Sequence, residues 1–158
     1  MASTSHGGAD ADPPDAEPGR LADLEAIRDL ARTYAHRVWR KDVAGVVDVF
    51  TDDAHVDLGT VAPVQGRAAV TAAYEQALGA GEFLPFVHQH VVDLRGDTAT
   101  GTCYVQVWGT IDGEKVLIGG YYDDHYRRTG DGWKISSRTI NLLPYIPLGP
   151  QRPHDPED

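Results

Sequence analysis

Four side chains in this sequence have the chemistry and the placement of catalytic groups: His88 and Asp123 to move protons, Tyr34 and Tyr74 to orient and polarise a substrate. His88 lies near the start of an alternating run and shares its parity with Phe86, His90, Val92 and Leu94. That set is the more apolar of the two, so the alternation predicts that His88 faces the core. An imidazole with an ordinary pKa of about 6.5 gives or takes a proton near neutrality. The alternative is a His that only fills space and bonds a neighbour. That is the reading for His90, which sits deeper, where an aliphatic side chain is expected. Asp123 shares a strand face with Leu117, Gly119, Tyr121 and His125, and this face is expected to point inward. A carboxylate there is partly desolvated and needs a partner. With His88 as that partner the two form an acid–base pair.

Tyr34 and Tyr74 each fall on the apolar stripe of a helical pattern. Two phenols pointing into one cup bind or polarise a substrate oxygen. The alternative is a core Tyr that bonds a backbone carbonyl. Trp39 reads as a pocket wall, and Tyr121, His125 and Asn141 as substrate-binding side chains. Arg138 is a weaker polar candidate, and Asp57 could face either way. His88-x-His90 with His125 or Asp123 resembles a metal-ligand set, but such spacing is common by chance. No metal and no other cofactor is expected. The chain has no G-x-S-x-G elbow and no phosphate-cradling Gly loop. Cys103, the single cysteine, lies on an apolar strand face and reads as core filling.

The elements that must position these groups fall in a clear order. Leu24, Ile27, Ala31, Tyr34 and Val38 recur at steps of three and four, predicting a helix from about Leu21 to Lys41. Val43, Val46, Val47 and Phe50 predict a second, short helix that Asp52-Asp53 ends as a turn. A strand over His55–Leu58 follows. A third helix after Gly66 carries Val70, Tyr74 and Leu78. Long strands then run from Phe86 to Pro144, with turns at Arg95-Gly96-Asp97, Asp112-Gly113 and Gly130-Asp131-Gly132. In the second of these strands Ala99, Gly101, Cys103, Val105 and Val107 form one face. Gly119-Gly120 inside a strand predicts a sharp bend or bulge. Helices grouped before an antiparallel sheet describe an α+β fold: a cone-shaped, curved antiparallel sheet wrapped over three N-terminal helices.

Residues 1–19 and 149–158 are rich in Pro, Gly and Asp and are expected to be disordered acidic tails. They account for most of the net charge of −10, leaving about −4 on a domain over residues 20–148. No basic face suits nucleic acid, no basic amphipathic helix suits a membrane, and no apolar run spans a bilayer. One cysteine and no signal-like N-terminus point to the cytoplasm.

Several segments carry a family resemblance: Ala26-Ile27-Arg28-Asp29-Leu30, Phe50-Thr51-Asp52-Asp53-Ala54, Val64-Gln65-Gly66-Arg67, Gly96-Asp97-Thr98-Ala99, Leu117 to Asp124, and Gly132-Trp133-Lys134-Ile135. With these the chain resembles the SnoaL-like group of the nuclear transport factor 2-like fold, which includes polyketide cyclases, scytalone dehydratase and a hexachlorocyclohexane dehydrochlorinase. The resemblance implies a cone-shaped barrel with an apolar pocket, and a homodimer packed through the sheet. Dehydratase-type relatives pair an Asp near the end of helix one with a His on the third strand. Here the first position falls at Trp39 and the second near Pro85 or at His88, so that dyad is not carried over intact. Residues and resemblance together predict a cofactor-independent acid–base cyclase or isomerase acting on a small hydrophobic oxygenated natural-product intermediate. Ring closure by epoxide opening is the concrete version. A dehydratase or lyase of the same fold is one alternative, and a non-catalytic ligand-binding or accessory dimeric protein is the other.

Overall fold

A computed structural model describes residues 16–149. Most of both expected tails lies outside that range. The elements run α1 (Ala16–Trp39), α2 (Val43–Val47), β1 (Phe50–Asp57), β2 (Val64–Gln65), α3 (Arg67–Ala80), β3 (Glu82–Arg95), β4 (Thr98–Ile111), β5 (Glu114–Thr129), β6 (Gly132–Leu142) and β7 (Ile146–Pro147). The sheet order is β2-β1-β6-β5-β4-β3, with β7 paired to β5. This is the expected mixed α+β architecture, a curved and unclosed sheet against N-terminal helices. One pair departs from the antiparallel rule. β1 runs parallel to β6, which a long crossover through α3 and four strands permits. No described helix is long and apolar enough to cross a membrane.

The helices follow their stripes. Ile27, Ala31, Tyr34 and Val38 on α1 and Val70, Tyr74 and Leu78 on α3 are buried against the sheet. α1 starts earlier than expected, at Ala16. α2 stops at Val47, and Phe50 begins a strand that includes Asp52 and Asp53. The expected turn there is absent: Asp53 lies within β1, which pairs with β6, and its carboxylate meets Arg127 of β5 at 2.7 Å.

The strand faces depend on register. Ala99, Cys103, Val105 and Val107 of β4 are buried, as their alternation predicts. Residues directly opposite across a ladder share a face. The two-residue turn Asp112-Gly113 pairs Ile111 with Glu114, and hence Cys103 with Tyr122 and Gly101 with Asp124. The inward face of β5 is therefore Val116, Ile118, Gly120, Tyr122, Asp124 and Tyr126, not the face that carries Asp123.

Bulges reset two more faces. β3 and β4 stay in register from Arg95 back to His90, slip, and resume at Val87. The extra residue flips the parity of the strand beyond it. His90, Val92 and Leu94 point inward as expected, whereas Pro85 and Val87 replace Phe86 and His88. On β6 the register to β5 shifts between His125 and Tyr126, leaving Ser136 unpaired. Trp133 and Ile135 face inward before the slip; Arg138 faces inward after it. The Gly119-Gly120 pair holds no bulge, since the ladder to β4 is continuous there. Gly120 instead allows close approach of β6: a Cβ would sit 2.4 Å from the Asn141 carbonyl oxygen.

Candidate functional site

Between α1, α3 and the concave sheet lies a cavity of about 130 Å³. Val38, Leu78, Phe83, Val107, Ile118 and Ile140 make its wall apolar, and Tyr34, Tyr74 and Tyr122 add three phenols. All three rings are buried, with only 2–4 % of their surface exposed. The Tyr74 hydroxyl donates to that of Tyr34 at 3.2 Å. The rings of Tyr34 and Tyr122 meet edge to face, 5.6 Å apart. Burial raises the pKa of Tyr74 and of Tyr122 well above the ordinary phenol value. Both therefore stay neutral and keep their protons near neutrality.

Behind the phenols is a fully buried ion pair. Arg138 donates to both oxygens of Asp124, from Nε at 2.8 Å and from an Nη at 2.6 Å. Neither side chain is exposed. The guanidinium lies over the rings of Tyr34 and Tyr122, 4.3 Å from each. Burial works against its charge, but Asp124 outweighs burial and holds its pKa well above the ordinary value. The second Nη of Arg138 is buried and has no partner among the described residues.

The network continues away from the cavity. The Tyr126 hydroxyl donates to Asp124 at 2.9 Å, and His90 Nε2 lies 2.9 Å from that hydroxyl. Burial, followed by Asp124, raises the pKa of Tyr126. Burial lowers that of His90, with Asp124 opposing and Arg138, Arg28 and Arg32 adding to the depression. Burial pushes the Cys103 thiol up to about 11, so it is not a ready thiolate. Among the described residues no three His, Cys, Asp or Glu side chains cluster as a metal site.

The structure places Tyr34 and Tyr74 together in the cavity wall and separates the rest. His88 sits in the β3 bulge, exposed, and lines a cleft between α1 and β3 instead of the cavity. Asp123 is exposed on the outer sheet face. It accepts from Thr102 Oγ1 at 2.8 Å and from Asn141 Nδ2 at 3.3 Å. The expected His88–Asp123 pair is thus not formed: a bulge turned one residue out, and the register with β4 turned the other out. Tyr121 and His125 share the outer face of Asp123, with the Tyr121 ring 6.2 Å from that of Tyr104. Trp39 caps the edge of β3, donating from Nε1 to the Pro85 carbonyl at 2.8 Å and packing on Phe86. It is 42 % exposed and is not part of the cavity wall.

The sequence reading did not offer Asp124, Tyr122 or Tyr126 for the site; it gave His90 a structural role, which its contact with Tyr126 matches, and ranked Arg138 too low. A signal for the first three was present, because the short Asp112-Gly113 turn sets the β5 face. None marked the Ser136 bulge that brings Arg138 in.

Comparison with known proteins agrees with this architecture. Residues 19–139 match the model of the SnoaL-like domain. The uncharacterized protein Rv2910c of Mycobacterium tuberculosis (strain ATCC 25618 / H37Rv) is 30% identical over 125 residues, covering 75% of this chain and 84% of its own. A solved structure from Novosphingobium aromaticivorans DSM, named provisionally as an aromatic ring hydroxylase, is 32% identical with a TM-score of 0.74. That match covers 80% of this chain and 94% of the other. The hexachlorocyclohexane dehydrochlorinase LinA-type3 of Novosphingobium barchaimii LL02 superposes with a TM-score of 0.78 at 19% identity, covering 85% and 96%. This last likeness is one of fold.

Proposed function

Because the chain belongs to the SnoaL-like domain family, we propose that it is an enzyme of the isomerase or lyase type acting on a small, apolar, oxygenated molecule. The observation that carries this reading is the phenol cluster stacked on a buried cation. A guanidinium against the faces of Tyr34 and Tyr122 makes their hydroxyls better donors to an oxygen that gains charge. Among the described residues no imidazole or carboxylate lines the cavity, and the reading gives the proton traffic to the phenols.

Ring closure by attack of a substrate hydroxyl on an epoxide suits such a wall. Tyr34 gives its proton to the opening epoxide oxygen. Tyr74 passes its own proton to Tyr34 along their hydrogen bond, and takes up the proton that the attacking hydroxyl sheds. One C–O bond forms, one breaks, and no phenolate accumulates, which matters where burial makes a phenolate costly. The cavity folds a flexible substrate into a reactive shape, worth roughly 7–11 kcal/mol at best.

The test compares small-molecule extracts of the source organism with and without the gene, adding back wild-type or Tyr34→Phe protein. Accumulation of an isomer of equal mass that only the wild type clears is expected. A precursor heavier than the product by one water would instead make this a dehydratase. A second reading is a non-catalytic binder, favoured by the lack of imidazole and carboxylate in the wall. Retention of an unchanged ligand with no turnover would establish it. We also propose the homodimer, packed through the outer sheet face where Phe86, Tyr104 and Trp108 are 43–48 % exposed. A monomeric mass by light scattering at micromolar concentration would remove it.

A further inference from the structure

The three tyrosines of the cavity differ in what their hydroxyls already do. Tyr74 donates to Tyr34 at 3.2 Å, so each of these two hydroxyls has the other. The Tyr122 hydroxyl makes no hydrogen bond among the described residues. Three buried side-chain atoms of this structure lack both a partner and any open surface: Thr51 Oγ1, His90 Nδ1 and Arg138 Nη1. The Tyr122 hydroxyl is not one of them, although the residue is only 3 % exposed. The little surface that this hydroxyl keeps is therefore open. Tyr122 lies on the inward face of β5 and lines the cavity, so it opens there. An O–H that meets no acceptor in an apolar space costs free energy until an acceptor reaches it.

Arg138 gives this hydroxyl a direction. The guanidinium lies 4.3 Å over the Tyr122 ring. A cation on the face of a phenol draws electron density from its oxygen, which makes the O–H a stronger donor and the oxygen a poorer acceptor. The group offered to a ligand is thus a donor.

The wall limits the rest of the ligand. Among the described residues no charged side chain lines the cavity. A charged ligand would give up its hydration there with nothing in return. A dry apolar cavity of about 150 Å³ holds benzene, and this one, of about 130 Å³, has room for one ring of that size. Thr60 and Leu142 are exposed members of the lining and mark the mouth, where a substituent can leave.

Resting on the reading of this cavity as a small-molecule site, we propose that Tyr122 is the donor that holds the substrate. The part of the substrate seated against it is a neutral six-membered ring bearing an oxygen that accepts but does not donate, a ketone or a cyclic ether. The hydrogen bond runs from the Tyr122 hydroxyl to that oxygen. The Tyr34–Tyr74 pair is left free for proton transfer.

The probe is cyclohexanone. Methylenecyclohexane, the same ring with CH₂ in place of the oxygen, and cyclohexanecarboxylate are the controls. Binding to the full chain is followed by ligand-observed NMR, and the carbonyl stretch of bound cyclohexanone by difference infrared spectroscopy. The stretch is expected at lower frequency in the wild type than in Tyr122→Phe. Tyr122→Phe should weaken cyclohexanone about three- to tenfold, the effect of one neutral hydrogen bond. It should leave methylenecyclohexane affinity unchanged, which shows that the cavity is still formed. Cyclohexanecarboxylate should bind about tenfold or more weakly than cyclohexanone. The readout is equilibrium binding and needs no turnover. Absence of any turnover with the Tyr122 dependence intact removes the isomerase or lyase reading and leaves this one standing. The proposal is overturned by a carbonyl stretch that is the same in wild type and Tyr122→Phe, or by equal weakening of cyclohexanone and methylenecyclohexane. A stretch that responds to Tyr34→Phe in place of Tyr122→Phe, or a carboxylate that binds as tightly as the ketone, overturns it as well.

Discussion

Asp124→Asn is expected to unfold in about 2 M less urea than the wild type, a loss of about 3–5 kcal/mol. The substitution keeps the shape of the side chain and removes its charge. Arg138 is then a cation with no exposed surface and no counter-ion. One of its two hydrogen bonds also meets an amide that donates instead of accepting. Tyr126 loses the stronger of its partners, and His90 loses the anchor of its chain. The aromatic faces of Tyr34 and Tyr122 recover only part of this, since such contacts contribute about 2 kcal/mol when desolvated. Against a total stability of about 5–15 kcal/mol for a domain of this kind, the loss is large. Urea unfolding followed by tryptophan fluorescence measures it. The double variant Asp124→Leu with Arg138→Met removes both charges and should be less damaged than Asp124→Asn, because no uncompensated ion is left. A loss under about 1 kcal/mol in Asp124→Asn would show that the guanidinium reaches water or another anion.

Tyr34→Phe is expected to lower kcat by roughly 10²- to 10³-fold with little change in KM, the effect of removing one donor aimed at developing charge. The ring stays, so its stacking on Arg138 at 4.3 Å and its edge contact with Tyr122 are retained. What goes is the hydroxyl that accepts from Tyr74. The selective fall in kcat separates a chemical role from wall packing, which would raise KM as well. Tyr74→Phe should cost less, about tenfold, if Tyr34 can draw on water in its place. Steady-state kinetics on the precursor that accumulates without the gene provides the readout. A Tyr34→Phe enzyme within about threefold of wild type would remove the phenol relay and leave the non-catalytic binder as the stronger reading.

Much of this molecule was legible in its residues. The stripes of α1 and α3 and the inward face of β4 follow from spacing alone, because burying one face of an element requires its period. Those stripes also bring Tyr34 and Tyr74 to one cavity. The β5 face was legible too, but only through its turn. Leu117, Gly119 and Tyr121 look as apolar as Val116, Ile118 and Tyr122, so alternation could not choose. The pairing forced by Asp112-Gly113 could, and it puts Asp124 inside and Asp123 outside.

Local sequence thus determined the α+β class, the helix faces, the hairpins and, through one short turn, which aspartate is buried. Tertiary structure decided the rest: that His88 leaves the core, that Arg138 enters it, and that the two meet different spaces. The reason is the bulge. One unpaired residue near His88 and another at Ser136 invert the faces of everything beyond them. Where a strand accepts that extra residue depends on how the sheet must curve over α1 and α3, and no single strand's pattern contains that curvature.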